Sequence, residues 1–581
     1  MVLYLRNISV ALLFLVGHSA FSAGGLFFNV SATGIPGNVE IILCLNGKGA
    51  LSCQNYNVSA LTLSILSTIP NRTYPFAGIK INTPGYSPTG CSMNSNGYCL
   101  FSVSNTNAAT IAVNGPPPPS PPPPTCQPGV IVFSPAVTRV NNPTGTASRP
   151  IQQFTIHMAL CNSQGQPLIP SANNPIHLDV YGAPDGVISP ASTTSSTGDV
   201  TFTYSGQSFP NNISINAWMS DSSNNGAALG VTQVLHQNTP SCSYGGTSYQ
   251  VPLASTLPGA LDVKADVGYD EGSAETSLRS FTIDTGSLGV LVPSSELPHN
   301  ANVIGPGAAG VKYYDSSGNT YSGNYYLAPV RIKHANGAVT TQPIMVLGIN
   351  NAYCSGPTTK SCYSNPPSPN LHYLGVGFNR NSTTAGDLFN SPTANAFLHL
   401  TNLNNGTDLS PGYYLTPNDS TTTTGLTLGI TASTGYNVIN LTPNSAVPGD
   451  FNPQAGCFSF PNSSPSTPFC GTALLDVGID SMFIELPKAQ WPAGTYDPNN
   501  NQVLAGIYMS ILMGAENAPS MSYNFYAVNG NPPSGSPTPT VVQWVDGTAT
   551  GQTFVNTGRR PLYIYDYFYD GQCGQVGFKP L

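Results

Sequence analysis

Charge is scarce in this chain: only 7% of its 581 residues are Asp, Glu, Lys or Arg, and the net charge is −8. With 17 Lys and Arg in total, no basic stripe is present, which argues against nucleic acid as a partner. Strong helix formers are few, whereas Gly (59) and Pro (54) are abundant beside many Ser, Thr, Asn, Val and Tyr. That composition belongs to short strands and turns, so the expected fold class is all-β. Beyond the N-terminus no apolar run is long enough to span a bilayer, so no transmembrane segment is expected after leader removal. There is no Cys-x-x-Cys, and the eight His are scattered without ligand spacing, so no metal site is expected. A Gly-x-Ser-x-Gly elbow and a His-Glu-x-x-His helix are both missing, which leaves serine-hydrolase and zinc-protease chemistry without their motifs.

What the chain does have begins with a leader. Arg6, the apolar run Val10-Ala-Leu-Leu-Phe-Leu-Val16 and the small residues of Ser19-Ala-Phe-Ser-Ala23 make residues 1–23 read as a secretory signal peptide. The protein is therefore expected to be secreted, at the cell surface or periplasmic. Twelve cysteines, an even number, fit such a compartment. Close spacing suggests local disulfides at Cys44/Cys53, Cys91/Cys99, Cys354/Cys362 and Cys457/Cys470. Cys126/Cys161 and Cys242/Cys573 would complete the set, although spacing does not fix connectivity.

Residues 24–114 contain strand-like runs such as Val39-Glu-Ile-Ile-Leu-Cys44, separated by Pro-Gly and Asn-Gly turns, and read as an accessory β domain. The proline run in 115–125 reads as a stiff polyproline spacer. In residues 126–240, Phe154, Ile156, Met158 and Leu160 alternate onto one face, and further short strands come after them. This segment is expected to form a β-sandwich. Its Cys161-Asn-Ser-Gln-Gly-Gln-Pro167 and Gly198-Asp-Val-Thr-Phe-Thr-Tyr204 segments loosely resemble bacterial immunoglobulin-like domains of the invasin type. That resemblance implies a spacer or adhesive module, with cell-surface contacts made through 24–240.

The chemistry lies in residues 241–581. Phe281-Thr-Ile-Asp-Thr-Gly-Ser287 is a β run closing on Asp-Thr-Gly-Ser. Alone it is a common turn sequence. A second segment, Ala473-Leu-Leu-Asp-Val-Gly-Ile479, has the same shape, and Asp476 lies 192 positions after Asp284 (476 − 284). Two carboxylates held close cannot both ionise readily, so one keeps a proton while the other acts as a base. Such a pair can activate water and protonate a carbonyl oxygen. Gly286 and Gly478 allow the tight loops that aim the carboxylates together.

On these residues the segment resembles the pepsin-like aspartic proteases. Asp284-Thr-Gly-Ser-Leu-Gly-Val-Leu-Val-Pro-Ser-Ser295 is similar to the family's first active-site loop and following strand. Leu374-Gly-Val-Gly-Phe378 is similar to the segment beneath that loop. Val311–Gly323 resembles the flap hairpin, with Tyr313 or Tyr314 as its tyrosine. Gly558–Asp570 and Val576-Gly-Phe578 are similar to the closing strands. The resemblance implies two lobes, about 241–395 and 396–581. It also implies catalytic Asp284 and Asp476, substrate contacts at Tyr313 or Tyr314, Gly286 and Gly478, and no metal or organic cofactor. The implied partner is a polypeptide in extended conformation, taken up by added-strand hydrogen bonding. Arg559 and Arg560 are expected at the surface.

The second loop departs from the family pattern. Val477 stands where the family has a threonine that braces the two loops, and Ile479 where it has a hydroxyl that bonds the carboxylate. The function expected from the sequence is a secreted aspartic endopeptidase. The alternative, which these two substitutions favour, is a catalytically silent pepsin-like protein that binds or adheres.

Overall fold

The computed structural model describes the strands between residues 26 and 114, most of 130–236 apart from connecting segments, and 248–581. In that last stretch 271–272, 356–361, 363–366, 381, 383, 401–409, 419–424, 448 and 464–465 are left out. Residues 1–23, expected to be a leader, and the proline run 115–125 lie outside the described residues. The chain divides into two compact units, Met1–Pro121 and Pro122–Leu581, with the division inside the proline run. The protein is all-β. Helical structure among the described residues is confined to 3-10 turns of three or four residues. No described helix is long and apolar enough to cross a membrane.

The described residues of the first unit form two sheets. In one, Leu26–Thr33 lies between Thr62–Ser67 and Ala109–Asn114. In the other, Val39–Gly47 lies between Ala50–Val58 and Phe76–Ile81, a register that sets Cys44 opposite Cys53.

The second unit opens with two more sheets. Gln152–Leu160 pairs with Ile131–Ser134 and Thr197–Gly206, and Asn212–Asp221 pairs with Ile176–Tyr181 and Gly226–His236. Met158 and Leu160 are buried as expected, but Ala159 between them is buried too, so burial does not alternate over the residues that can be read; the side chains of Phe154 and Ile156 lie outside the described residues. This segment packs directly on residues 248–581. Leu229 is buried in one apolar cluster with Leu288, Leu291, Tyr325, Leu347 and Phe389. The Ala227 N–H donates to Pro306 O (2.8 Å), and Asn216 Nδ2 donates to Pro343 O (2.7 Å). Gly307 makes room for this contact, since a Cβ there would meet Leu229 Cδ1 at 2.6 Å.

Residues 248–581 build a 15-stranded sheet and a nine-stranded sheet. The expected boundary at 395/396 does not separate them. The larger sheet crosses it, because the backbone of Tyr249–Ser255 pairs with Gly425–Ile430, which joins Ser410–Leu415 and then Tyr565–Asp570. A large continuous core fills this region, from Val251 and Phe281 to Trp544 and Phe578.

Each sheet contains the same local arrangement. Arg279–Asp284 runs parallel to Tyr373–Val376, which is antiparallel to Leu288–Pro293. Phe469–Leu474 runs parallel to Phe554–Asn556, which is antiparallel to Met482–Leu486. In both, the strand after the Asp loop has a second, parallel neighbour: Ile344–Cys354 in one case and Val542–Asp546 in the other. The two Asp-Gly loops therefore occupy equivalent places, each between two strands spread by a third.

Candidate active site

Asp284 ends its strand, and Asp476 lies two residues past its own. Both are buried. The loops meet tip to tip. A Cβ at Gly478 would sit 2.5 Å from Asp284 Oδ1 and 3.2 Å from Asp476 Oδ1, and a Cβ at Gly286 would collide with the Asp476 carboxylate. Glycine is required at both positions because the opposing carboxylate occupies the space of a side chain.

Asp284 is held by its own loop. Oδ1 accepts from the Gly286 N–H (2.7 Å) and Oδ2 from the Ser287 hydroxyl (2.6 Å). Asp476 Oδ1 accepts from the Gly478 N–H (3.0 Å) in the same way. Its Oδ2 accepts from Asn556 Nδ2 (2.7 Å), on a strand 80 residues away. Burial and the Asp284 charge push the Asp476 carboxyl up to about 7, against the pull of the Asn556 and Gly478 donors. The Asp476 proton thus persists well above the usual carboxylate range, as in two acids that share one proton.

The loops are braced from one side only. Thr285 Oγ1 donates to Leu475 O (2.5 Å) and accepts from the Val477 N–H (2.9 Å). Val477, fully buried, returns no such bond. The second loop is supported instead by Arg559, whose Nη1 donates to Val477 O (3.0 Å) and whose N–H donates to Ile479 O (2.9 Å). Arg559 and Arg560 are thus not surface residues; they are 8% and 5% exposed. Burial draws the Arg559 ionisation down, while Asp480 and Asp476 hold the charge in place. Only the fold brings these anions beside it.

The hairpin Ala309–Tyr314 with Asn319–Ala328 separates the two tyrosine candidates. The Tyr313 hydroxyl donates to Asp315 on the hairpin itself (3.3 Å). Tyr314 turns inward, its ring 5.5 Å from Tyr373 and 6.0 Å from Tyr321, its hydroxyl buried near Ser287 and Asp284. Burial and the Asp284 charge raise its ionisation far above 10, so it stays a neutral donor. Tyr373 is similarly raised, by burial first and then by Asp284.

The structure thus gathers Asp284, Asp476, Gly286, Gly478 and Tyr314, and turns Tyr313 away. The sequence reading missed Tyr373, Asn556 and Arg559. No sequence signal singled out Asn556: Asn556-Thr-Gly558 takes the place of Tyr373-Leu-Gly375, each beneath one Asp loop, but the two segments share only their glycine. Among the cysteines, Cys457 and Cys470 form a disulfide and Cys573 is disulfide-bonded. The expected Cys354/Cys362 bond is not formed, because Cys354 Sγ faces the Cys362 carbonyl oxygen rather than its sulfur. The described residues do not test the Cys91/Cys99 or Cys126/Cys161 pairings. No protein-family model matches this chain, and no curated protein matches it.

Proposed function

We propose that this protein is an aspartic endopeptidase of the pepsin-like type, exported and acting on polypeptide in extended conformation. The observation that carries the reading is the meeting of two buried aspartates from equivalent loops, with the Asp476 carboxyl raised to about 7. A water held between the carboxylates would lose a proton to the ionised partner as its oxygen attacks the scissile carbonyl carbon. The protonated partner would hydrogen-bond and then protonate the carbonyl oxygen. Collapse of the tetrahedral adduct breaks the C–N bond, and the amine leaves with a proton returned by the pair. The neutral Tyr314 hydroxyl supplies a donor above this centre and, with Tyr373 and Tyr321, an aromatic wall that limits water access.

Cleavage of an unfolded protein by purified residues 24–581 between pH 2 and pH 7, with and without pepstatin, tests the reading. Pepstatin-sensitive cleavage that disappears in Asp284→Asn and in Asp476→Asn is the expected result. A specific observation favours the second reading, a binding protein on the same scaffold: the cross-loop brace is one-sided at Val477. Folded protein that cleaves nothing at any pH would decide for it.

A further inference from the structure

We infer that Asn556 is the positioning residue of the second carboxylate, replacing from a distant strand the hydroxyl that the Asp476 loop lacks. The inference rests on the endopeptidase reading and concerns how its two halves are made equivalent.

The comparison between the halves is direct. Three residues after Asp284 stands Ser287, whose hydroxyl donates to the outer oxygen, Oδ2 (2.6 Å). Three residues after Asp476 stands Ile479, which has nothing to donate. The Oδ2 of Asp476 is nevertheless occupied at 2.7 Å by Asn556 Nδ2. The amide orientation is fixed from its other end, where Oδ1 accepts the Gly558 N–H at 3.0 Å. A flipped amide would set an oxygen against the carboxylate and an NH2 group against an N–H, losing both bonds. The backbone at Asn556 is fixed as well, paired in register with Leu474 on one side and Phe483 on the other. The equivalent position in the first half is Tyr373, and there the donor to the carboxylate comes from Ser287 instead.

The amide differs chemically from a hydroxyl. A hydroxyl can donate or accept, so it tolerates a proton on the oxygen it faces. An NH2 group only donates. Asp476 Oδ2 is therefore kept as an acceptor, although both Asp476 oxygens lie against Gly286 of the opposing loop, and the proton shared by the pair is left to Asp476 Oδ1 and to Asp284, whose Oδ1 faces Gly478. Loss of the donor also removes an interaction that favours the ionised form, so the Asp476 ionisation moves to higher pH.

The test uses Asn556→Asp, which keeps the shape and the Oδ1 acceptor for Gly558 but replaces the donor with an oxygen. Asn556→Ala and the double variant Asn556→Ala/Ile479→Ser accompany it. The expected result for N556D is a fall in kcat of about 100-fold with KM within about threefold, the pattern of a lost donor at the reacting centre. Its pH–rate profile is displaced. In the double variant the serine stands where Ser287 stands in the first half, and activity recovers at least about tenfold over N556A. Wild-type kcat and pH profile in N556D would overturn the inference, and so would a double variant no better than N556A. A second measurement does not need activity. Taken relative to Asp476→Asn, the wild-type melting temperature is expected to fall as pH rises toward 7, and in N556D the midpoint of that fall is displaced. An inactive wild type whose melting profile still shifts in N556D would sink the endopeptidase reading and leave Asn556 as the residue that sets Asp476. An unshifted profile would sink the inference by itself.

Discussion

Thr285 Oγ1 lies between Leu475 O and Val477 N, so one hydroxyl joins the two Asp loops in both directions. By the equivalence of the loops, a threonine at 477 would bridge Ile283 O and Thr285 N in the same way. Val477→Thr is expected to stabilise the second unit by about 1 kcal/mol, the net worth of one added hydrogen bond. Thr285→Val, which orphans a buried donor and acceptor, is expected to cost about 1–3 kcal/mol. Scanning calorimetry of the two variants checks both signs. A destabilised V477T would mean that the loops are not equivalent.

The Asp476 carboxyl sets a pH dependence of known sign. Its folded value of about 7 lies above the ordinary 3.8, so the native state keeps a proton that the unfolded chain releases. The contribution is fully present below about pH 4 and is lost as pH rises through about 7. Buried His399, whose ring ionisation is drawn down to about 4, acts in the opposite direction over the same window. The melting temperature of wild type is therefore expected to fall relative to that of Asp476→Asn as pH rises from about 4 to about 7. A difference between the two proteins that does not shrink across the window would contradict the assignment.

Leu229 ties the 126–240 segment to the sheet that carries the first Asp loop, since it shares a cluster with Leu288 and Leu291 of the strand after that loop. Leu229→Ala is expected to cost about 2–4 kcal/mol. Residues 241–581, which keep Cys242 as the expected partner of Cys573, should melt lower when expressed alone than residues 122–581. Equal melting temperatures would show that the contact contributes nothing to stability.

Arg331 is fully buried. Its Nε and Nη2 donate to both oxygens of Asp266 (3.0 and 2.6 Å), and its remaining donors reach the Asp270, Ser273 and Ala274 carbonyls. Arg331→Met leaves the Asp266 charge buried and unpaired, at a cost of about 3–5 kcal/mol. Arg331→Lys keeps the charge but not the fork, and is expected to fall between the two. A lysine variant as stable as wild type would show that charge alone suffices.

Cys354 and Cys362 are free thiols in this structure. Alkylation under denaturing, non-reducing conditions followed by peptide mapping should modify both and leave Cys457, Cys470 and Cys573 unmodified. Protected Cys354 and Cys362 would restore the pairing suggested by their spacing.

The sequence by itself determined the all-β class, because Gly, Pro and β-branched residues leave little that can hold a helix. It also determined the two Asp-Gly loops and the turn of the Val311–Gly323 hairpin, both encoded within a few residues, whereas close spacing suggested both Cys457/Cys470, which is formed, and Cys354/Cys362, which is not. Tertiary structure alone decided the rest. Choosing Tyr314 over Tyr313 depended on which strand face turns inward, and adjacent residues point to opposite faces. The burial of Arg559 came from bringing the 477–480 loop over it. Asn556 became the donor to Asp476 because parallel pairing set it beside Leu474, and an 80-residue separation leaves no local pattern to announce that contact. A short motif records the backbone it shapes, whereas the partner of a buried carboxylate is fixed by register between strands distant in the chain.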